Sequence, residues 1–180
     1  MFVCLGFLHW SICWSCYCFI FWGGRMIWVF DLDQTIISST HRCKFLANGD
    51  LDLDDWRNHT AKEILQDELL PLGYFCKYLI ENQHTVWFCT ARNMQIADYD
   101  LLENLGLGDV KIIISRAIED SRPDAEYKKA KLEWAIYGLD HYEQIVFFDD
   151  KKDIRDEVSK LGIICLDPRS INMGVNHGQM

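Results

Sequence analysis

The sequence predicts an α/β protein with a Rossmann-like, doubly wound, mainly parallel five-stranded sheet and a small insertion after the first strand. Three observations carry this: short apolar runs recur along the chain, segments with helical spacing separate them, and acidic or hydroxyl residues follow several of the runs. Near-continuous apolar strands are covered on both faces, and strands of that kind are joined in parallel through helices. With 180 residues, the chain has enough material for one such domain and too little for two substantial ones.

The expected strands are Met26–Phe30 (MIWVF), Thr85–Cys89 (TVWFC), Val110–Ile114 (VKIII), Gln144–Phe148 (QIVFF) and Gly162–Leu166 (GIICL). Helical spacing marks Leu69–Glu81, where Leu70, Tyr74 and Tyr78 recur on one side, and Met94–Leu105, with Ile96, Leu101 and Leu105. Ala125–Tyr137 and Ile154–Leu161 have the same pattern. The resulting βαβ series is that of a doubly wound sheet. The insertion runs from Ser38 to Gln66 and contains the turn signal Asn48-Gly49-Asp50 together with Asp52, Asp54 and Asp55.

Residues 1–25 stand apart, because Arg25 is the single charged residue among them. Phe2–Trp22 is long enough to cross a bilayer, and Arg25 behind it would keep the following domain cytoplasmic. However, the run is crowded with Trp and Cys, and it has neither the basic start nor the small-residue cleavage site of a secretory signal. The preferred expectation is a start of translation at Met26, since Gly23-Gly24-Arg25 is what a purine-rich ribosome-binding sequence encodes when read through. A membrane anchor is the alternative. The domain itself is expected over 26–168, with 169–180 as a C-terminal tail.

The net charge is −9, and all 27 acidic residues lie beyond residue 25. Such a balance opposes non-specific attraction to a nucleic-acid backbone, so no stable nucleic-acid groove is expected. Cys43, Cys76, Cys89 and Cys165 have no paired spacing and fit reduced thiols in a cytoplasmic protein.

The chemistry is expected at the carboxyl ends of the strands, where open α/β sheets bind ligands. Asp31, Asp33 and Thr35 follow the first strand, Thr90 and Arg92 the second, and Asp149 and Asp150 the fourth. If the chain stays extended, Asp31 and Asp33 face one cleft, one carboxylate for attack and one for proton transfer. Asp31, Asp33, Asp149 and Asp150 form a set of hard oxygen donors without His or Cys, which favours Mg²⁺. Thr90 and Arg92 are expected to grip phosphate oxygens, and Lys128, with Lys129 and Lys131 as competitors, to complete the electrostatic clamp. Singly, each of these is an ordinary surface feature; together they are ordered as one cleft would collect them.

With these residues in place, the chain resembles the haloacid dehalogenase-like superfamily. DLDQT at 31–35 looks like its first motif, Thr90 its second, Lys128 its third and Asp149-Asp150 its fourth. The resemblance implies that Asp31 attacks phosphorus to give an aspartyl-phosphate, and that Asp33 protonates the leaving group and then activates water. It also implies a phosphatase, since members that dehalogenate or pump ions carry other residues at the position of Asp33. The spacing of VWFCTAR, the stretch Asp120–Lys131 and IVFFDDKKDIRDEVSKLGI is most similar to the phosphatase domain of bacteriophage polynucleotide kinases, which implies action on nucleic-acid 3′-phosphate ends or on nucleotides.

The chain has no GxxxxGK[ST] loop, so the kinase half of such an enzyme is lacking. Gln34 replaces the Gly usual in many members, and DLDQT is also similar to phosphatases acting on the RNA polymerase tail; a phosphoprotein is therefore an alternative substrate. A modest insertion leaves the cleft open to a polymer end, while Trp56, Arg57 or His59 at the entrance would close over a base. A catalytically idle binding module of the same fold is the contrasting reading, and the intact Asp31, Asp33 and Asp149 argue against it.

Overall fold

In strand β1 (Met26–Phe30), Ile27 and Val29 lie in one hydrophobic cluster while Trp28 and Phe30 pack into another, the two-residue alternation of a strand covered on both faces. The computed structural model describes residues 26–49, 51–139 and 144–173; the hydrophobic segment 1–25 and residues 174–180 lie outside the described residues. After β1 come the short strands β2 (Ile37–Ser38) and β3 (Glu68–Leu69), then β4 (Thr85–Cys89), β5 (Ile112–Ile114), β6 (Gln144–Phe148) and β7 (Ile164–Leu166). The helices are α1 (Leu53–Arg57), α2 (Ala61–Ile64), α3 (Pro71–Glu81), α4 (Ile96–Leu105), α5 (Asp124–Ile136), α6 (Lys152–Ser159) and α7 (Arg169–Met173).

The main sheet has the order β5-β4-β1-β6-β7, and every pair in it is parallel. All five expected strands form. The third is shorter than its apolar run, beginning at Ile112 beyond Lys111. On one face, Leu72, Cys76 and Leu79 of α3 and Ala97, Leu101 and Leu102 of α4 cover Phe30, Val86, Phe88 and Phe148. On the other, Leu132 of α5 and Ile154 and Val158 of α6 cover Ile27, Val29, Trp87 and Phe147. Phe30 and Phe148 stack with centroids 5.0 Å apart across the central strand pair. Each such buried ring contributes about 1.5–3 kcal/mol. Cys43, Cys76, Cys89 and Cys165 are free thiols. Among the described residues no helix is long and apolar enough to cross a membrane.

The chain leaves β1 towards β4 and β5 and returns on the opposite side to β6 and β7, so the strand order switches at the β1–β6 boundary. Ligand crevices open at the carboxyl side of such a switch. The insertion contributes a second element. Its ends pair as β2 and β3, and its middle carries two one-turn helices that begin at capped positions. Asp52 accepts from the backbone N–H groups of Asp54 and Asp55, and Thr60 with Glu63 forms a capping box. Residues 169–173, expected within the tail, instead form α7, which packs near α3.

Candidate active site

β1 ends in a tight turn that presents the first acids. The Leu32 carbonyl accepts from the N–H groups of Ile36 and Ile37, each at 3.0 Å, and Gln34 donates its N–H to the Ile37 carbonyl at 2.8 Å. This geometry drives Gln34 to φ 57°, the left-handed region that favours glycine. A glycine would adopt this conformation without strain. The Gln side chain is used instead: its Nε2 donates to Ser39 Oγ, its Oε1 accepts from Thr40 Oγ1, and Ser39 Oγ in turn donates to Asp33 Oδ1 at 3.0 Å.

Asp31 and Asp149 meet across the β1–β6 boundary, where the Asp31 N–H donates to the Phe148 carbonyl at 2.9 Å. Lys128, projecting from α5, donates to Asp31 Oδ1 at 2.6 Å and to Asp149 Oδ2 at 2.7 Å. Of the three lysines at the start of α5, Lys128 alone is buried, at 2% exposure. Lys129 pairs with Glu157, and Lys131 lies 6.0 Å from the Tyr127 ring. Asp149 is held further by the Lys151 N–H on Oδ1 at 2.9 Å and by Arg155 Nη1 on its carbonyl.

Oxygens of Asp31, Asp149 and Asp150 lie within 4.8 Å of one another. The three carboxylates share one directly paired ammonium, Lys128, with Lys151 a further cation acting on Asp150. Burial pushes Asp31 up to about 7, with Lys128 opposing and Asp149 and Asp33 adding to the rise. Burial also raises Asp149 and Asp150, the latter with a contribution from Asp31. Asp31 and Asp149 outweigh the burial of Lys128 and hold it protonated. A small, hard divalent cation fits this donor set, because it takes oxygen ligands and supplies the missing charge.

The Asp33 carboxylate, expected among the metal ligands, lies outside this cluster. The turn after Leu32 directs it to Arg92, whose Nε donates to Oδ2 at 3.1 Å and whose Nη2 donates to Oδ1. Burial favours its neutral form, but the Arg92 fork outweighs burial and holds Asp33 below the usual carboxylate range.

Arg92 itself departs from its expected role on the substrate. It follows β4 as foreseen, but it is buried and fully engaged: Nη1 donates to Asp98, and Nη2 reaches Asp67 at 3.3 Å as well as Asp33. Asp67 also takes a bidentate pair of bonds from Arg42, each at 2.8 Å. Trp56, expected at the entrance, lies over the Arg42 guanidinium at 4.0 Å, and His59 bonds the Arg42 carbonyl. Arg57 is exposed. Thr35 and Thr90 are buried at the site. Thr35 Oγ1 donates to Asp31 Oδ2 at 3.5 Å, and Thr90 Oγ1 accepts the Arg92 N–H at 3.1 Å.

Arg42, Asp67 and Asp98 were not visible as site residues in the sequence. Asp98 had a signal, since with Gln95 it forms the capping box of α4, whereas Arg42, at the end of a short 3-10 turn over Thr40–Arg42, and Asp67, just before β3, had none. Beside the insertion, a cleft of about 680 Å³ opens between Ser38, Thr40 and His41 on one side and Leu65 and Gln66 on the other.

A family model described as bacteriophage T5 5′-deoxynucleotidase matches residues 24–179. The 5′-deoxynucleotidase of Escherichia phage T5 is 30% identical over 167 residues, which cover 82% of this chain and 68% of that protein. Among solved structures, a haloacid dehalogenase-like family hydrolase from Streptococcus pneumoniae superposes with a TM-score of 0.56 at 15% identity, covering 80% of this chain and 84% of that one. A chain of the Pnkp1/Rnl/Hen1 RNA repair complex superposes with a TM-score of 0.51 at 19% identity, covering 79% of this chain and 42% of that one. At these identities the two structures share the fold, which is haloacid dehalogenase-like, as the motifs implied.

Proposed function

The chain belongs to the bacteriophage T5 5′-deoxynucleotidase family, and from that premise we propose that it hydrolyses deoxynucleoside 5′-monophosphates with Mg²⁺, through an aspartyl-phosphate on Asp31. The observation that carries the mechanism is geometric: Lys128 donates to both Asp31 and Asp149 at the end of the sheet, and Arg92 grips Asp33 two residues on. Asp31 lies in a cluster short of positive charge, and Asp33, two residues on, is held ionised by Arg92.

In this reading an Asp31 carboxylate oxygen attacks phosphorus, and the bond from phosphorus to the nucleoside oxygen breaks. The leaving nucleoside oxygen takes its proton from solvent water, and Asp33, ionised beside Arg92, takes a proton from the water that cleaves the aspartyl-phosphate and frees phosphate. Lys128 keeps Asp31 and Asp149 in place, and the Thr35 and Thr90 hydroxyls lie at the carboxyl end of the sheet where phosphate oxygens arrive. When bound, Mg²⁺ would be held by Asp31, Asp149 and Asp150 and would shield the phosphate from the attacking carboxylate.

Two observations support a nucleotide over a polymer end. The chain is strongly acidic, which disfavours long-range capture of a phosphate backbone. The relative described above, the 5′-deoxynucleotidase of Escherichia phage T5, acts on a nucleotide by its description and is 30% identical over 167 residues.

The test is phosphate release from deoxynucleoside 5′-monophosphates, 3′-phosphorylated oligonucleotides and a phosphopeptide, with and without Mg²⁺, using Asp31→Asn as control. Preference for the monophosphates is expected. Preference for the oligonucleotide or the peptide would keep the mechanism and replace the substrate, and no Asp31-dependent release from any of them would leave a binding module.

A further inference from the structure

The turn that carries Asp31 and Asp33 is gripped from a distant part of the chain. Asn172, in α7, donates from Nδ2 to the Thr35 carbonyl at 3.0 Å, and its Oδ1 accepts the Leu72 N–H at 3.0 Å. Leu72 is in the first turn of α3, where backbone donors have no intrahelical acceptor, and its neighbour Pro71 has no N–H to offer. The same junction is closed by the Leu70 N–H donating to the Ile36 carbonyl at 2.9 Å. At Gly73 the packing is tight enough that a Cβ would lie 2.4 Å from the Ile36 oxygen. Residues 35–36 are therefore held between the start of α3 and a single side chain of α7.

We propose that Asn172 is a positioning residue for catalysis: it fixes the Thr35 main chain, and through it the Thr35 hydroxyl beside Asp31, relative to α3. This rests on the phosphatase reading above. The residue type is demanded by the partners, since one fork must offer a donor to a carbonyl and an acceptor to an N–H, and a short amide does both. An Asp in its place would set a carboxylate against the Thr35 carbonyl. A Gln would displace the fork by about one carbon–carbon bond, roughly 1.5 Å. Because reacting groups misplaced by about 1 Å lose on the order of 10²-fold in rate, the effect belongs in turnover rather than in substrate affinity.

The experiment compares the full chain with Asn172→Ala, Asn172→Asp and, as a control on the same helix, Ile171→Ala. Two quantities are read: kcat and KM on a deoxynucleoside 5′-monophosphate with Mg²⁺, and amide hydrogen exchange at residues 35–37 and 72. Both Asn172 variants are expected to lose about 10- to 100-fold in kcat with KM within about twofold, and to exchange faster at Leu72 and in the turn. The Ile171 control is expected to match the wild type in both. Unchanged exchange at Leu72 and the turn overturns the proposal, as does accelerated exchange with an unchanged kcat, which would make Asn172 a purely structural clamp. If the wild type releases no phosphate from any substrate, the phosphatase reading fails and this proposal with it, whereas loss confined to the Asn172 variants supports both.

Discussion

Two halves of the site are built on opposite electrostatic plans. In the sheet half, Asp31, Asp149 and Asp150 share one directly paired ammonium, that of Lys128, and burial lifts the affinity of Asp31 for protons up to about 7. In the insertion half, the guanidinium groups of Arg42 and Arg92 thread between Asp33, Asp67 and Asp98, and Asp33 stays below its ordinary range. The first half is left short of positive charge; the second is largely neutralised by the chain itself. An under-compensated acid cluster and an arginine-bound one are thus kept apart, although their two leading acids are separated by one residue.

The largest expected effect comes from Asp31→Asn, which removes the proposed nucleophile: turnover should fall by about 10³-fold or more, while the metal-free protein melts no lower than the wild type because a charge leaves an over-acidic cluster. Next is Lys128→Met, which strips the sheet half of its internal cation. Urea titration should show a loss of about 3–5 kcal/mol in the metal-free protein, the cost of leaving buried carboxylates unpaired. Asp67→Asn acts on the other half and should cost about 2 kcal/mol by loosening Arg42 and Arg92. The stabilisation that Mg²⁺ gives should be unchanged in that variant, and a smaller metal response would break the separation between the halves.

pH sharpens the same contrast. The folded-state pKa of Asp31 lies above its unfolded value, so its contribution to stability is full below about 4 and is lost as pH rises through about 7. Thermal melts of the metal-free protein should therefore show this group working against stability at pH 8 relative to pH 5.5. Mg²⁺ should raise the melting temperature more at pH 8, where no proton has to be displaced, and Asp31→Asn should flatten that difference. The smallest expected effect is that of Gln34→Gly. Relief of the left-handed backbone should stabilise by at most about 1 kcal/mol, while the loss of the link to Ser39 should lower turnover several-fold.

The two halves also differed in how far they could be read from the sequence. The sheet half follows from periodicity: apolar runs mark β1, β4 and β6, and the acids at their ends converge because parallel strands end on the same side. Even there, Lys128 could not be told from Lys129 and Lys131, since the choice depends on the rotation of α5 against the sheet. In the insertion half, a tight turn after Leu32 rather than an extended chain decided where Asp33 points, and that decision also diverted Arg92 from the substrate. Thr60 and Glu63 held the signal for α2, but nothing near Asp67 advertised a buried acid shared by two arginines. Asn172 was equally silent, because an amide near a chain end acquires meaning only from what folds against it.

The register that brings Met26 opposite Gln144 has a consequence in time. Asp31 leaves the ribosome 97 positions ahead of Lys128, and the second half of the sheet follows later still. At typical synthesis rates that interval is roughly 5–20 s. Until it has passed, the nascent chain carries Asp31 without Lys128, Asp149 or Asp150. In the phosphatase reading, copies truncated before Asp149 and Asp150 should thus be inert.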